Sequence, residues 1–301
     1  MKSKRVLAVL ILLTISALPG MINSQWSADT LGMGKITANR LILFGNTLIT
    51  GTQDSGIFIR ANYEEKWKSI YNSPKEIRGL VISGNNLVAG TSNDGIFYST
   101  NSGLNWKPSV INAKVIITVF DNKTNLLAGT KNGIFRSSDN GITWSETSMK
   151  NVTYSIAEIG MNYYAGTNKG LHIASSLTGQ WTKIFDRTTN SIIAFNDTIL
   201  IANNDGTIWR KRSNENWIEV YSLGRDIYKL FNISNIVFAG TYVNGIICST
   251  DYGINWQESC LGQDTYMKKA LVWDILISGT KLYACTGGGI YKTDLRFCIE
   301  P

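Results

Sequence analysis

The stretch Ala128-Gly129-Thr130-Lys131-Asn132-Gly133-Ile134-Phe135-Arg136-Ser137-Ser138-Asp139-Asn140-Gly141-Ile142-Thr143-Trp144 sets how the rest of the chain is read. Its first half returns as Thr50-Gly51-Thr52…Gly56-Ile57-Phe58, Ala89-Gly90-Thr91…Gly95-Ile96-Phe97, Ala165-Gly166-Thr167…Gly170-Leu171 and Ala239-Gly240-Thr241…Gly245-Ile246. Degenerate copies stand at Ala202-Asn203-Asn204…Gly206-Thr207-Ile208 and Ala284-Cys285-Thr286…Gly289-Ile290, making seven units spaced 36 to 45 residues apart. A tryptophan closes each of the first six, 14 to 16 positions beyond the glycine or its substitute: Trp67, Trp106, Trp144, Trp181, Trp217 and Trp256. A fixed period of this size marks one supersecondary unit stacked on copies of itself.

Each unit reads as four short strands. In the second, Ile77–Ser83 is an apolar run, Gly84-Asn85-Asn86 a turn, and Leu87–Thr91 the next strand. Asn93-Asp94-Gly95 turns the chain again, with strands over Ile96–Thr100 and Asn105–Val110. Asn-, Asp- and Gly-rich turns between β-branched and aromatic runs are hairpin signals. Four antiparallel strands every forty residues or so predict an all-β fold, a seven-bladed β-propeller of four-stranded blades. The phase predicts its closure. The seventh unit has no room for its tryptophan before Pro301, while Trp26 lies 25 residues before Gly51, close to the usual 22 to 23. An N-terminal strand near Trp26 should therefore complete the last blade and remove the open sheet edges.

Composition bounds the function. The chain of 301 residues is 44% hydrophobic and 17% charged, which is globular. Lys2, Lys4 and Arg5 precede the apolar run Val6–Leu13, and Pro19-Gly20 and Asn23-Ser24 follow. Residues 1–24 thus read as a signal peptide, and 25–301 as the exported propeller, with no transmembrane anchor once the leader is cleaved. The formal charge of +7 falls to +4 without the leader, 26 basic against 22 acidic groups, which argues against a nucleic-acid partner. A single histidine argues against a multi-histidine metal centre, and no cofactor motif is present.

Ser137–Trp144 matches the pattern Ser-x-Asp-x-Gly-x-Thr-Trp at Ser137, Asp139, Gly141 and Trp144. Ser249, Asp251, Gly253 and Trp256 repeat it with Asn255 for Thr, and Ser99, Asn101, Gly103 and Trp106 repeat it with Asn for Asp as well. In this the chain resembles the Asp-box, or BNR-repeat, propeller superfamily, which includes sialidases, xyloglucan-cleaving glycosidases, sortilin-type receptors and photosystem II assembly-factor-like propellers. The resemblance implies structural hairpins on the outer part of the ring, away from the ligand face. A sialidase would open an arginine triad with Arg-Ile-Pro; here the early arginines read Asn39-Arg40-Leu41 and Ile59-Arg60-Ala61. Xyloglucan enzymes set their catalytic aspartates between two propellers, and this sequence has room for one.

Propeller ligands meet the mouth of the central channel, at the ends of the innermost strands. Aligning these strands on Gly-Thr places Asn39, Arg78, Ile116, Tyr154, Ser191, Tyr228 and Trp273 together, followed by Arg40, Gly79, Ile117, Ser155, Ile192, Lys229 and Asp274. The ligand- or partner-binding candidates are Arg40, Arg78, Tyr154, Tyr228, Lys229, Trp273 and Asp274, rich in the residue types of binding hot spots; the alternative is that they plug and solvate the channel. Asp274 and Asp226 are the candidate carboxylate pair of a glycosidase, and His172 is expected to be a satisfied strand histidine. Of four cysteines, Cys260 and Cys298 are expected to form a disulfide, with Cys248 and Cys285 as small buried strand residues. The expectation is an exported, non-catalytic binding or scaffold module that docks an envelope or secreted protein on its axial face. The rival is a carbohydrate-active propeller, a lectin or a glycoside hydrolase.

Overall fold

The computed structural model describes residues 26–61, 66–195, 197–258 and 266–295; the expected leader, Cys260 and Cys298 lie outside them. Seven antiparallel sheets follow one another around a ring. The innermost strands, blades 1 to 7 in order, are Ala38–Phe44, Ile77–Ser83, Ile116–Asp121, Thr153–Ile159, Thr189–Phe195, Ile227–Ile233 and Val272–Ser278. Each pairs with a second strand carrying the Gly-Thr position, and that strand with a third. Fourth strands are short, as at Lys107–Pro108, and among the described residues blade 6 shows only the bridge Cys248 to Gln257 in that place. Ser27–Ala28 pairs with Gly289–Asp294, Ser27 opposite Lys292 and Ala28 opposite Tyr291, so the N-terminal strand completes blade 7 as expected.

The Gly-Thr motif has two separate physical reasons. A Cβ on Gly51 would stand 2.3 Å from Ile77, and one on Gly90 2.4 Å from Ile116, so these glycines let the next blade's innermost strand approach. The threonine holds the following turn: Thr52 Oγ1 donates to the Gly56 carbonyl at 2.7 Å and Thr91 Oγ1 to that of Gly95 at 2.9 Å.

The apolar core is divided into seven clusters, one between each pair of neighbouring blades. Each repeat tryptophan packs toward the preceding blade. Trp144 of blade 3 joins Val88 and Ile96 of blade 2, and Trp67 of blade 1 joins Tyr283 and Ile290 of blade 7. Trp26 does the same against Phe238 and Cys248 of blade 6, so it is the seventh tryptophan of the series. Burial of each such plate contributes about 2–3 kcal/mol.

The Asp-box hairpins form as their pattern requires. Asp139 Oδ1 accepts the N–H groups of Ile142 and Thr143 at 3.1 and 2.9 Å and the Ser137 hydroxyl at 2.7 Å; Oδ2 accepts the Thr143 hydroxyl at 2.6 Å. Asp251 repeats this with Asn255 Nδ2 donating at 2.6 Å. Trp144 Nε1 donates to the Gly141 carbonyl at 3.0 Å, where Gly141 has φ +90°. Burial alone would raise the Asp139 pKa, but its donors outweigh this and hold the carboxyl below the usual range.

One expectation is corrected. Cys248 is disulfide-bonded, not a plain strand residue, while Cys285 is a buried free thiol. The expected Cys260–Cys298 pairing falls outside the described residues.

Candidate functional site

Every innermost strand carries the same irregularity. Ala38 pairs with Thr52 and Arg40 with Gly51, which leaves Asn39 as an extra residue. The same step occurs at Arg78, Ile117, Tyr154, Asn190, Tyr228 and Trp273. A β-bulge bends its strand and re-aims one side chain. Seven bulges at one level therefore turn seven side chains toward the axis, and all seven line one cavity of about 520 Å³ at the channel mouth. Arg40, Ser92, Val115, Asn204 and Asp226 complete much of its wall.

The ring is chemically uneven. Asn39 and Asn190 act mainly as ties between blades: Asn39 Nδ2 donates to the Ile77 carbonyl at 2.9 Å and Asn190 Nδ2 to that of Ile227 at 3.2 Å. Asn39 Oδ1 is buried without a partner. Arg78 Nε donates to Ser92 Oγ at 2.9 Å, and its guanidinium stands 6.0 Å from the Trp273 ring centre. Trp273 and Tyr228 pack with centroids 4.6 Å apart and planes inclined at 38°. Burial and the charge of Arg40 both lower the Arg78 pKa, while Glu76 and Asp54 act the other way. Tyr228 is pushed up to about 12, first by burial and then by Asp226 and Tyr242.

Arg40, Arg78, Tyr154, Tyr228 and Trp273, all expected from the sequence, are thus brought to one cavity. Lys229 and Asp274 are not. Each is one position beyond its bulge. Lys229 lines a separate cavity of about 350 Å³ further along the innermost strands of blades 3 to 6. Asp274 is buried, accepting from the Leu41 N–H at 3.3 Å, with Lys229 Nζ 3.7 Å away. Asp226 lines the mouth and Asp274 does not, so this carboxylate pair does not face one space. Ile117 and Asn190 occupy the places that the sequence alignment gave to Ile116 and Ser191. A signal for them existed: each bulge residue lies twelve positions before the residue in the glycine place, counting Ala202 and Cys285 as substitutes.

His172 is buried, with Nδ1 3.3 Å from the Gly170 carbonyl and Nε2 3.4 Å from Asn151 Nδ2; burial lowers its pKa. Among the described residues no three His, Cys, Asp or Glu side chains gather where they could hold a metal, and no helix is long and apolar enough to cross a membrane.

With this geometry in hand, the comparisons agree on architecture. The BNR/Asp-box repeat family matches residues 135–146, the hairpin of blade 3. An extracellular domain from B. thetaiotaomicron assigned to a one-component system superposes with TM-score 0.76 at 18% identity, over 90% of this chain and 40% of that one. YCF48 bound to D1 peptide gives 0.71 at 17% identity, over 93% and 98%. An ancestral GH74 enzyme gives 0.71 at 16%, over 89% and 46%, so this chain spans less than half of two of these three structures. No curated protein matches the sequence at a significant level. The molecule is a seven-bladed β-propeller with a BNR/Asp-box repeat in blade 3, similar in fold both to a peptide-bound protein and to a GH74 enzyme.

Proposed function

We propose that this propeller is an exported, non-catalytic module that docks a protein of the envelope or extracellular space on the mouth of its axial channel. The observation that carries the reading is the ring of bulges. With Arg40, which lines the same cavity, it concentrates two arginines, two tyrosines and a tryptophan around one opening, residues that dominate binding energy at interfaces. Differences from blade to blade favour one asymmetric partner over a sugar bound repeatedly around the ring. The basic, apolar N-terminal stretch supports export.

Site-specific photocrosslinking tests it. A benzophenone amino acid at position 154 sits in the mouth, and one at 161, where Met161 is 90% exposed in the turn ending the same strand, marks the opposite face. In host envelope and secreted fractions, a discrete protein adduct from 154 and not from 161 is expected. Equal adducts from both positions would displace the site, and a glycan captured in place of a protein would favour the carbohydrate-active reading.

A further inference from the structure

On the cationic side of the mouth acidic groups are near but not in contact: Glu76 and Asp54 act on Arg78 from a distance, and Asp226 lines the same cavity. Arg40 Nη1 donates to the Asn39 carbonyl at 2.7 Å and Arg78 Nε to Ser92, but among the described residues neither guanidinium has a carboxylate within ion-pair distance. Arg60, Arg187 and Arg212 each meet an aspartate within 3 Å, while Arg136 bonds instead to the Asn125 amide oxygen. Two like charges, both half-buried in one cavity, raise each other's cost. A carboxylate between them would relieve that cost and gain planar, charge-assisted hydrogen bonds.

The rest of the ring indicates what carries the carboxylate. The neighbouring blade 3 presents Val115, Ile116 and Ile117, an apolar wall beside the arginines. Tyr154 of blade 4 follows this wall, and the Tyr228–Trp273 pair stands on the arginines' other side, the Trp273 ring centre 6.0 Å from the Arg78 guanidinium. A closed ring with about 520 Å³ of space admits a chain end more readily than a loop, which would have to enter and leave by the same opening. Only at its C-terminus does a peptide set a carboxylate directly beside its last side chain.

We propose that the mouth receives the free carboxyl terminus of a peptide chain ending in an apolar residue, the carboxylate on Arg40 and Arg78 and the last side chain against Ile117. This rests on the reading of the mouth as a protein-binding site and names the part of the partner that enters it.

The test is fluorescence anisotropy with the purified protein and a panel of fluorescein-labelled pentapeptides ending in leucine, each made as free acid and as C-terminal amide. Charge-assisted hydrogen bonds predict that the acids bind about ten- to a hundredfold more tightly than the amides. Arg78→Gln should remove that preference, whereas Lys123→Gln, on the turn at the opposite end of blade 3, should leave it intact. Thermal unfolding of each variant checks that the ring is still closed. Equal binding of acid and amide, lost in Trp273→Ala, would overturn the carboxylate inference and leave the protein-binding reading standing. Absence of any peptide binding would also overturn it, and crosslinking from position 154 then decides whether the wider reading fails with it. Displacement of the acids by a uronic acid at equal concentration would overturn it in favour of an acidic sugar.

Discussion

Asp29 Oδ2 lies 2.7 Å from Arg60 Nη2, with both side chains buried, and this pair joins the first described strand to blade 1. Asp29 Oδ1 also accepts from Lys292 Nζ of blade 7 at 3.0 Å, and the Asp29 carbonyl accepts Trp67 Nε1 at 2.8 Å. One residue beyond the closing strand therefore ties the two ends of the ring together. Removing one partner of a buried pair leaves an uncompensated charge, so Asp29→Ala is expected to destabilise by about 3–5 kcal/mol. Urea unfolding measures it, with Glu146→Ala in an exposed pair as a control that leaves the midpoint unmoved.

The Asp-box hairpins make a graded experiment of nature. Asn101 replaces the aspartate and accepts only through Oδ1, from Asn105 N and the Ser99 hydroxyl. Its amide nitrogen cannot accept from Asn105 Nδ2, whereas Asp251 Oδ2 accepts from Asn255 Nδ2. Asn101→Asp should stabilise the fold by about 0.5–1.5 kcal/mol at neutral pH, seen as an upward shift in the unfolding midpoint.

For Asp139 the sign of the pH dependence follows from its lowered pKa. A carboxyl depressed in the folded state stabilises above its unfolded value of about 3.9, and the contribution fades as pH falls through the folded value. Asp139→Asn should therefore cost a constant amount above about pH 5 and progressively less below about pH 4. Denaturant titrations of both proteins across that range would show it; a difference independent of pH to well below the folded value would contradict it.

Tyr228, pushed up to about 12, shifts in the opposite sense. The folded protein keeps its phenolic proton while the unfolded chain releases it near pH 10, so its contribution is intact below pH 10 and lost as pH climbs toward 12. An ultraviolet titration of tyrosinate absorbance, wild type minus Tyr228→Phe, should show one late step.

The buried Cys285 thiol is pushed well up by burial and by Asp274, and it should resist thiol reagents in the folded state. Mass-spectrometric mapping after iodoacetamide treatment is expected to find Cys285 modified only after unfolding. Reduction of the Cys248 disulfide should lower stability by about 2–4 kcal/mol.

The sequence by itself determined the period, the number of blades, the Asp-box hairpins and the closing role of the N-terminal strand. All of these rest on local chemistry: glycine where a neighbour approaches, threonine where a turn is held, tryptophan where blades meet. It also brought Arg40, Arg78, Tyr154, Tyr228 and Trp273 forward as mouth residues, because variation stands out against a repeating background. Tertiary structure decided which side chain each strand turns inward, because the twelve-residue spacing in the sequence does not by itself say that the residue there is the bulged one. A bulge moves one residue out of the pairing, and a slip of one position exchanges channel wall for mouth. For that reason Ile117 and Asn190 entered the ring and Lys229 and Asp274 left it. That no carboxylate among the described residues makes an ion pair with Arg40 or Arg78 is likewise a relation between blades distant in sequence, fixed only when the ring closes.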